Sequence, residues 1–283
     1  MSRRDSDATQ PTAALSPYST ARPWDLVARG YTAELTEHFV HYAKHALRLA
    51  EVCDGERVLD VATGPGTLAL EAARIADVDA LDFSAEMLVS LRARAERAGI
   101  SRIRVTHGDG QSLPFDEGSF DAAFSMFGLF MFPDRARGFA ELFRVLRPGG
   151  RAVVSSWQMP PPSNPLSILQ VELVVALGGP VRSQADATPS LADRAVFEAE
   201  MEAAGFRVQV TSITHAVEAR SLDDLLASLI RGHAGLALLA ESLEPLVFNS
   251  FLDRLRTSLR DAVGDGPQRM EMPAWLALGV KPS

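Results

Sequence analysis

Residues 58–68 are VLDVATGPGTL, and this stretch decides the fold of the chain. Its first four residues are apolar except for Asp60, as expected of a strand that is buried on both faces of a parallel sheet. Gly64 and Gly66 follow at once, and a glycine lets the backbone approach a ligand where a Cβ would collide. The residues after them are rich in alanine and leucine, which favour a helix. The stretch therefore predicts a strand, a tight turn and a helix, the arrangement that holds a nucleotide.

Two further predicted strands end in acids at the same edge of the sheet. Residues 78–84 predict the second strand, with Asp82 near its end and Ser84 as the N-cap of the next helix. A carboxylate at this point can accept hydrogen bonds from the hydroxyls of a ribose. The third strand, residues 103–107, leads into a Gly-Asp-Gly sequence whose acid, Asp109, can accept a bond from the exocyclic amine of an adenine. A dinucleotide oxidoreductase has use for the first acid and no evident use for the second.

Four segments in this order resemble the class I S-adenosylmethionine-dependent methyltransferases, particularly the branch of the ubiquinone and menaquinone biosynthesis methyltransferases. The segments are VLDVATGPG, ALDFSAEML, HGDGQSLPFDEGSFD and ELFRVLRPGGR. The resemblance is strong over residues 56–157 and weak over residues 270–281, and four ordered motifs are far more specific than a glycine loop alone. The sequence departs from the family at Ala62, where the first loop glycine usually stands. Because alanine is small, we expect a modest adjustment of the backbone and no loss of binding.

The resemblance implies S-adenosylmethionine as the cofactor and a set of residues that bind it. Phe83 would flank the adenine, and the residues after the fourth strand would border the reactive methyl group. The implied cofactor-binding residues are Asp60, Ala62, Thr63, Gly64, Gly66, Asp82, Phe83, Met87, Asp109, Gly110, Gln111, Ser125, Met126 and Phe127.

The fold class expected is α/β, with a doubly wound, mostly parallel sheet of seven strands, N-terminal helices and a helical cap. Four more strands are predicted, at residues 120–125, 151–157, 206–217 and 272–280, with a helix at 135–145. Residues 1–17 have the composition of a disordered tail, and residues 18–55 show the periodicity of amphipathic helices. Residues 56–283 then form the methyltransferase core, with cap segments at about 159–200 and 221–263.

The methyl acceptor is expected between the cap segments and the N-terminal helices. An apolar run, residues 124–132, faces that space, so a small apolar acceptor, with an aromatic one favoured, fits better than a sugar, a phosphate or a charged peptide. Methyl transfer from a sulfonium needs little beyond proximity, desolvation and removal of a proton. His233 and His215 are the candidates for a general base, and Tyr31 or Tyr18 for a residue that contacts the acceptor. The sequence leaves C-, N- and O-methylation open.

The composition limits which substrates, metals and partners can be expected. A formal charge of −8 argues against a nucleic-acid substrate, and we read Arg92, Arg94 and Arg97 as a solvated helix face. A single cysteine, Cys53, excludes a disulfide framework or a thiolate metal site, and no metal is expected. Without a long apolar stretch or signal peptide, we expect a cytoplasmic protein with no membrane segment. The apolar cap helices could close a pocket, pair two copies into a homodimer, or do both.

The sequence leaves two alternative functions open. One is a nicotinamide-dependent oxidoreductase on the same type of sheet, which Asp109 and the lack of a Tyr-x-x-x-Lys pair disfavour. The other is a non-catalytic S-adenosylmethionine-binding protein, because residues that bind a cofactor need not turn it over.

Overall fold

The computed structural model describes residues 16–177 and 190–283, and within these ranges seven strands form one sheet. The strands are β1 Arg57–Val61, β2 Asp77–Asp82, β3 Ile103–His107, β4 Phe120–Met126, β5 Leu146–Trp157, β6 Arg207–Ala219 and β7 Gln268–Val280. Their order in the sheet is β3-β2-β1-β4-β5-β7-β6. Pairing is parallel from β3 to β5, whereas β7 is antiparallel to both β5 and β6. The predicted α/β class with a mostly parallel sheet is confirmed.

Helices surround this sheet and extend beyond it. They are α1 Arg22–Glu34, α2 Thr36–Leu49, α3 Thr67–Ala72, α4 Ala85–Arg97, α5 Arg135–Val145, α6 Pro165–Ala176, α7 Arg194–Ala203, α8 Leu222–Gly232, α9 Ala234–Ser242 and α10 Pro245–Val263, with short 3-10 turns at Pro17–Ser19 and Leu129–Met131. The predicted helical stretch 221–263 is divided into three helices. The breaks occur where the side chain of His233 caps α9 and where Pro245 opens α10. None of the helices in the two described ranges is long and apolar enough to cross a membrane.

Apolar side chains cover both faces of the sheet. On one face, Tyr42 of α2, Leu68 of α3 and Leu91 of α4 are buried against the strands. On the other face, Phe139 of α5 and Phe197 of α7 are buried. Helix α7 falls in the cap segment predicted at 159–200 but packs on the sheet, so the cap proper consists of α6, α8, α9 and α10. These four helices share a separate apolar cluster. The rest of that predicted segment, 178–189, and most of the predicted tail lie outside the described residues.

The order of the strands reverses between β1 and β4, and such a point opens a crevice at the carboxyl ends of the strands. Helix α1 lies over this edge and packs against α4, α8 and α9. The approach to α8 is very close, because a Cβ on Gly30 would lie 1.7 Å from the carbonyl oxygen of Arg231. Asp25 of α1 also accepts hydrogen bonds from the hydroxyl of Ser84, at 2.6 Å, and from the backbone N–H of Glu86, at 3.3 Å. Helix α1 is therefore fixed to the start of α4 above the crevice.

Candidate functional site

A cavity of about 1110 Å³, open solvent included, lies at this edge of the sheet. It is bounded below by the loops that follow the first four strands and above by the N-terminal helices. The lining residues are Tyr18, Ser19, Trp24 and Tyr31 from the N-terminus and α1, Phe39 and Ala43 from α2, then Asp60, Ala62, Thr63, Gly64, Pro65, Thr67, Leu68, Leu81, Asp82, Phe83, Met87, Gly108, Asp109, Gly110, Gln111, Met126, Phe127, Gly128, Met131, Phe132 and Pro133. The structure thus brings together segments far apart in the chain.

Two buried carboxylates occupy the centre of the polar part. Asp60 accepts hydrogen bonds from the hydroxyl of Thr63, at 2.6 Å, and from the backbone N–H of Ala69, at 3.1 Å. Asp82 accepts from the backbone N–H groups of Gly64 and Ser84, each at 2.8 Å. Burial raises the pKa of Asp60 to about 7 and that of Asp82 to about 6, and the negative charge of Asp82 adds to the rise at Asp60. A ligand that supplies hydroxyl donors or a positive charge here would favour their ionised forms.

The glycine loop after β1 is shaped by left-handed backbone at two lining positions. Ala62 has φ +56° and Gly64 has φ +55°. A Cβ on Gly64 would meet no atom within 4 Å, so the backbone of Gly64 borders open cavity. Gly66, by contrast, does not line the cavity: a Cβ there would lie 2.0 Å from Leu91, so glycine lets the start of α3 approach this side chain of α4. Alanine at position 62 thus adopts the left-handed conformation that glycine adopts more readily, and the expectation that cofactor binding is kept stays a prediction.

The part of the cavity beside Asp82 is lined by residues from the loops that follow β2 and β3. Phe83 and Met87 line it beside Asp109, Gly110 and Gln111. The side-chain amide of Gln111 donates to the carboxylate of Asp109 at 3.1 Å and accepts from the backbone N–H of Asp134 at 2.9 Å. A Cβ on Gly110 would lie 2.5 Å from the ring of Phe132 and 2.8 Å from Val61, so glycine lets the backbone pack closely against these two side chains.

The opposite end of the cavity is apolar and aromatic. The ring of Phe39 is stacked on Tyr31, with 5.8 Å between centroids, and lies 5.2 Å from Phe127. Ala43, Leu68 and Met126 complete this end, which we call the aromatic end. Burial raises the pKa of the Tyr31 hydroxyl, and the nearby charge of Asp82 raises it further. Tyr31 therefore keeps its proton and can act as a donor where the two ends of the cavity meet.

Of the residues predicted to act at the site, four are not part of the cavity lining. Gly66 has the packing role described above. Ser125 is fully buried, and its hydroxyl accepts from the backbone N–H of Leu129 at 3.1 Å, which fixes the turn after β4. His233 and His215, the predicted bases, do not line the cavity either.

The surroundings of the two histidines explain why. The Nδ1 of His233 accepts from the backbone N–H of Gly235 at 3.1 Å, and burial lowers the pKa of its imidazole to about 4. Its one free lone pair is thus used in capping α9, and the ring stays neutral. His215 lies on β6 with its ring 5.1 Å from that of His41 on α2, on the outer side of that helix. Among the predicted catalytic residues, only Tyr31 lines the cavity.

Several lining residues were missed by sequence analysis. Trp24 and Phe39 belong to amphipathic helices, where an apolar residue gives no sign of whether it faces core or cavity. Phe132 was seen only as part of an apolar run. Arg94, which we read as solvent-facing, donates to the carbonyl of Pro65 at 2.6 Å and so supports the glycine loop from behind. Its spacing on α4 gave no signal for this contact.

The lining has one sign of charge. Among the described residues, the lining includes three carboxylates, Asp60, Asp82 and Asp109, and no lysine, arginine or histidine. A cavity with this composition favours ligands whose net charge is positive or zero and disfavours ligands with a net negative charge, such as phosphates.

Comparisons with known proteins agree with this geometry. A family model described as a methyltransferase domain matches residues 58–150. Demethylmenaquinone methyltransferase from Thermus thermophilus is 34% identical over 199 residues, which cover 65% of this chain and 90% of that protein. Among solved structures, the [4+2]-cyclase SpnF has a TM-score of 0.63 at 18% identity, covering 96% of this chain and 99% of the other. Phosphoethanolamine N-methyltransferase 2 from Haemonchus contortus, solved with S-adenosyl-L-methionine, has a TM-score of 0.57 at 19% identity, covering 92% and 57%. At these identities the two structures show the fold alone.

The polar part of the cavity fits S-adenosylmethionine. The open space beside the backbone of Gly64 gives room for the ligand. Asp82 can accept from ribose hydroxyls, and the carboxylates suit a ligand that carries a sulfonium and an ammonium group. Three observations agree on the family of the chain: the residues that line the polar part of the cavity, the matching methyltransferase domain, and the similarity to a relative along 90% of its length. The chain belongs to the class I S-adenosylmethionine-dependent methyltransferases, in the ubiquinone and menaquinone biosynthesis branch.

Proposed function

We propose that the enzyme methylates a small, uncharged, apolar acceptor with an aromatic ring, and that a quinol is the chemistry to test first. The aromatic end of the cavity carries this proposal, because Tyr31, Phe39 and Phe127 present ring faces and edges to whatever lies beside the cofactor. Flat rings pack favourably against such a lining. Support also comes from the relatives, whose names specify methylation of demethylmenaquinone or, in one case, C-methylation in ubiquinone and menaquinone biosynthesis.

The charge of the lining supports an uncharged acceptor. A phosphate or carboxylate on the acceptor would enter a cavity in which the described lining offers three acids and no cation. Burying an unpaired anion beside like charges is strongly unfavourable. The proposal therefore excludes phosphobases, although a phosphoethanolamine N-methyltransferase shares the fold.

The proposed roles of the chain's own residues are few. S-adenosylmethionine, when bound, supplies a methyl group that is already activated on sulfur. Asp82 and Asp109 bind the cofactor, and the rings of Phe39 and Phe127 exclude water from the acceptor. Tyr31, held protonated by burial, donates a hydrogen bond to an oxygen of the acceptor and orients it. His233 and His215 have no part in this proposal because neither lines the cavity.

The first experiment follows S-adenosylhomocysteine formation with three acceptors under reducing conditions: 1,4-dihydroxybenzene, 1,4-dihydroxynaphthalene and phosphoethanolamine. We expect turnover with at least one of the two quinols and none with phosphoethanolamine. Mass spectrometry of the product identifies the methylated atom, with the ring carbon beside a hydroxyl expected. Turnover of phosphoethanolamine with neither quinol accepted would overturn the proposal.

Tyr31→Phe tests the orienting role. This change removes the hydroxyl and keeps the ring, so we expect kcat for the accepted quinol to fall about tenfold or more, by analogy with the loss of one hydrogen bond in a buried site. The dissociation constant of S-adenosylhomocysteine should stay within about twofold. Tyr42→Phe is the matched control, since the Tyr42 hydroxyl donates to the carbonyl of Met272 and does not line the cavity. An equal fall in kcat for both variants would remove Tyr31 from the proposed site.

The remaining sequence-based expectations enter here as proposals. The comparisons with methyltransferases lend no support to the nicotinamide-dependent oxidoreductase or to a non-catalytic binding protein. A cytoplasmic location and a homodimer formed through the cap helices stay predictions. Calorimetric titration with S-adenosylmethionine, S-adenosylhomocysteine and NADH would check the cofactor directly, with binding expected for the first two alone.

A further inference from the structure

Phe127 has an unusual backbone for a large side chain. It follows the end of β4 with φ +56°, in the left-handed region that favours glycine. A bulky side chain makes this backbone conformation unfavourable, because its Cβ is crowded by the backbone. The next residue, Gly128, is of the type that adopts this backbone readily, yet the strained position is occupied by phenylalanine. Backbone strain in a residue that lines a cavity indicates that the surrounding structure holds its side chain in a fixed position.

Neighbours on β5 hold Phe127 in that place. Its backbone N–H donates to the hydroxyl of Ser155 at 2.8 Å. Its ring is stacked on Trp157, with 4.0 Å between centroids and 19° between planes. Phe39 and Tyr42 contact the same ring at 5.2 Å and 5.1 Å between centroids. The backbone and the ring are thus fixed by separate contacts.

The stack places Phe127 between the cavity and Trp157. Phe127 lines the cavity, whereas Trp157 is not among the lining residues. Because the two rings are nearly parallel, the ring of Phe127 covers one face of the indole. Removing the ring of Phe127 would extend the aromatic end as far as that face, by about the depth of one aromatic ring.

We propose that Phe127 is the specificity-determining residue of the acceptor site, setting the length of the acceptor, and that Ser155 and Trp157 are its positioning residues. This inference rests on the proposed function, since it assumes that a ring-bearing acceptor occupies the aromatic end. It goes beyond the proposed function because it identifies one wall of the acceptor site and the direction in which a substitution would enlarge that site.

The test compares the ratio of kcat/KM for 1,4-dihydroxynaphthalene to that for 1,4-dihydroxybenzene. Phe127→Ala should shift this ratio toward the two-ring acceptor by about tenfold or more, the scale of discrimination that hydrophobic pockets achieve. Phe127→Gly should shift it equally, because the ring is lost in both variants while only the glycine relieves the backbone. A shift in the glycine variant alone would assign the effect to the backbone and overturn the role of the ring. Phe248→Ala, which removes a phenylalanine of α10 packed on Phe251, is the matched control and should leave the ratio unchanged.

Ser155→Ala tests positioning. In the natural background we expect a raised KM for the quinol and a shifted ratio, with the dissociation constant of S-adenosylhomocysteine unchanged. In the Phe127→Gly background, Ser155→Ala should change the ratio no further, because glycine adopts the left-handed backbone without being held. An equal effect of Ser155→Ala in both backgrounds would mean that it acts elsewhere.

A binding measurement separates this inference from the proposed function. With S-adenosylhomocysteine in excess, 1,4-dihydroxynaphthalene should quench tryptophan fluorescence more strongly in Phe127→Ala than in the natural protein, and the added quenching should disappear in the Phe127→Ala/Trp157→Phe variant. If the natural protein methylates neither quinol, the proposed function fails. If it methylates a quinol but neither the ratio nor the quenching responds to Phe127→Ala, the inference fails alone.

Discussion

At the scale of single residues, Ala62 and Gly128 form a complementary pair. Ala62 has the left-handed φ of +56° in the glycine loop, and a Cβ on Gly128 would lie 2.4 Å from the Cβ of Ala62. The two loops therefore have room for one methyl group, and the natural protein places it on Ala62. Gly128 itself has φ −107°, which any residue can adopt. The Cβ methyl group is therefore carried by Ala62, whose left-handed backbone is unfavourable for a residue with a Cβ, and not by position 128, whose backbone would accept it.

Exchanging the two residues should be tolerated where one change is not. Gly128→Ala alone should destabilise the protein by about 1–3 kcal/mol through overpacking. Ala62→Gly/Gly128→Ala should recover most of the lost free energy of unfolding, because the 2.4 Å contact is removed and the Ser125 hydroxyl, at 3.2 Å from the new Cβ, needs to shift by only a few tenths of an ångström. Urea denaturation of the natural protein, Ala62→Gly, Gly128→Ala and the double variant measures this coupling. Additive effects of the two changes would show that the methyl groups do not compete.

Part of this arrangement could be predicted from the sequence. The motif indicated that Ala62 would keep the loop, because its size could be judged from the residue alone. It could not show that Gly128 makes this possible, since the contact joins loops after β1 and β4 that are distant in the chain. The same limit applies to Ser125 and Gly66: position next to a motif predicted a ligand contact, whereas each serves local packing.

At the scale of elements, hydrophobic periodicity predicted where strands and helices occur more reliably than what they contact. The third strand and α5 begin and end as predicted. The fifth strand starts at Leu146, earlier than expected, because Leu146 pairs with Phe120 ahead of a register shift in the ladder with β4. Helix α7 has an ordinary amphipathic pattern, and nothing in that pattern distinguishes packing on a sheet from packing in a cap.

The crossing of α1 over α8 is an element-scale feature that can be tested at Gly30. Alanine is favoured over glycine in a helix by about 1 kcal/mol, yet its Cβ would lie 1.7 Å from the backbone oxygen of Arg231. We expect Gly30→Ala to separate α1 from α8, to lower the thermal midpoint and to weaken S-adenosylhomocysteine binding, because Trp24 and Tyr31 of α1 line the cavity.

Hydrogen exchange and calorimetry measure these effects. Amides of α1 should exchange faster in Gly30→Ala, while those of β1 and β4 should stay protected. Gly266→Ala is the control, because a Cβ there would meet nothing within 4 Å. Binding and exchange at α1 that match the natural protein would contradict a role for this crossing in closing the cavity.

At the scale of the whole molecule, the buried acids make stability depend on pH. In the free protein the pKa of Asp82 is raised to about 6 and that of Asp60 to about 7 by burial. Both groups bind protons more tightly in the folded state than in the unfolded chain. Their contribution to stability is therefore present at acidic pH and is lost as the pH rises through about 6 and 7.

The cofactor should reverse part of this dependence. Ionised Asp82 is the better acceptor for ribose hydroxyls, so bound S-adenosylhomocysteine should raise the thermal midpoint more at pH 8 than at pH 5.5. Asp82→Asn should weaken binding at pH 8 and reduce the difference between the two pH values. Differential scanning fluorimetry at both pH values measures it. An equal rise at pH 5.5 and pH 8 in the natural protein would contradict the assignment of Asp82 to the ribose.

Of the whole cavity, the part with the three carboxylates could be predicted from the sequence, whereas the aromatic end could not. Carboxyl ends of parallel strands meet at one edge, so the positions of Asp60, Asp82 and Asp109 at one cavity followed from the strands. The aromatic end depends on how α1 and α2 dock over that edge, which no local pattern encodes. Phe39 and Trp24 could be found only once those helices were placed.

The position of β7 has a consequence for how the chain reaches this shape during synthesis. β7 lies between β5 and β6 in the sheet but follows both along the chain. While β7 is still on the ribosome, the parallel strands up to β5 can already associate, whereas β6 has no neighbour to pair with. The nascent protein must therefore carry an open edge on β5 and a solitary β6, both able to recruit foreign strands, until the last strand emerges and joins them.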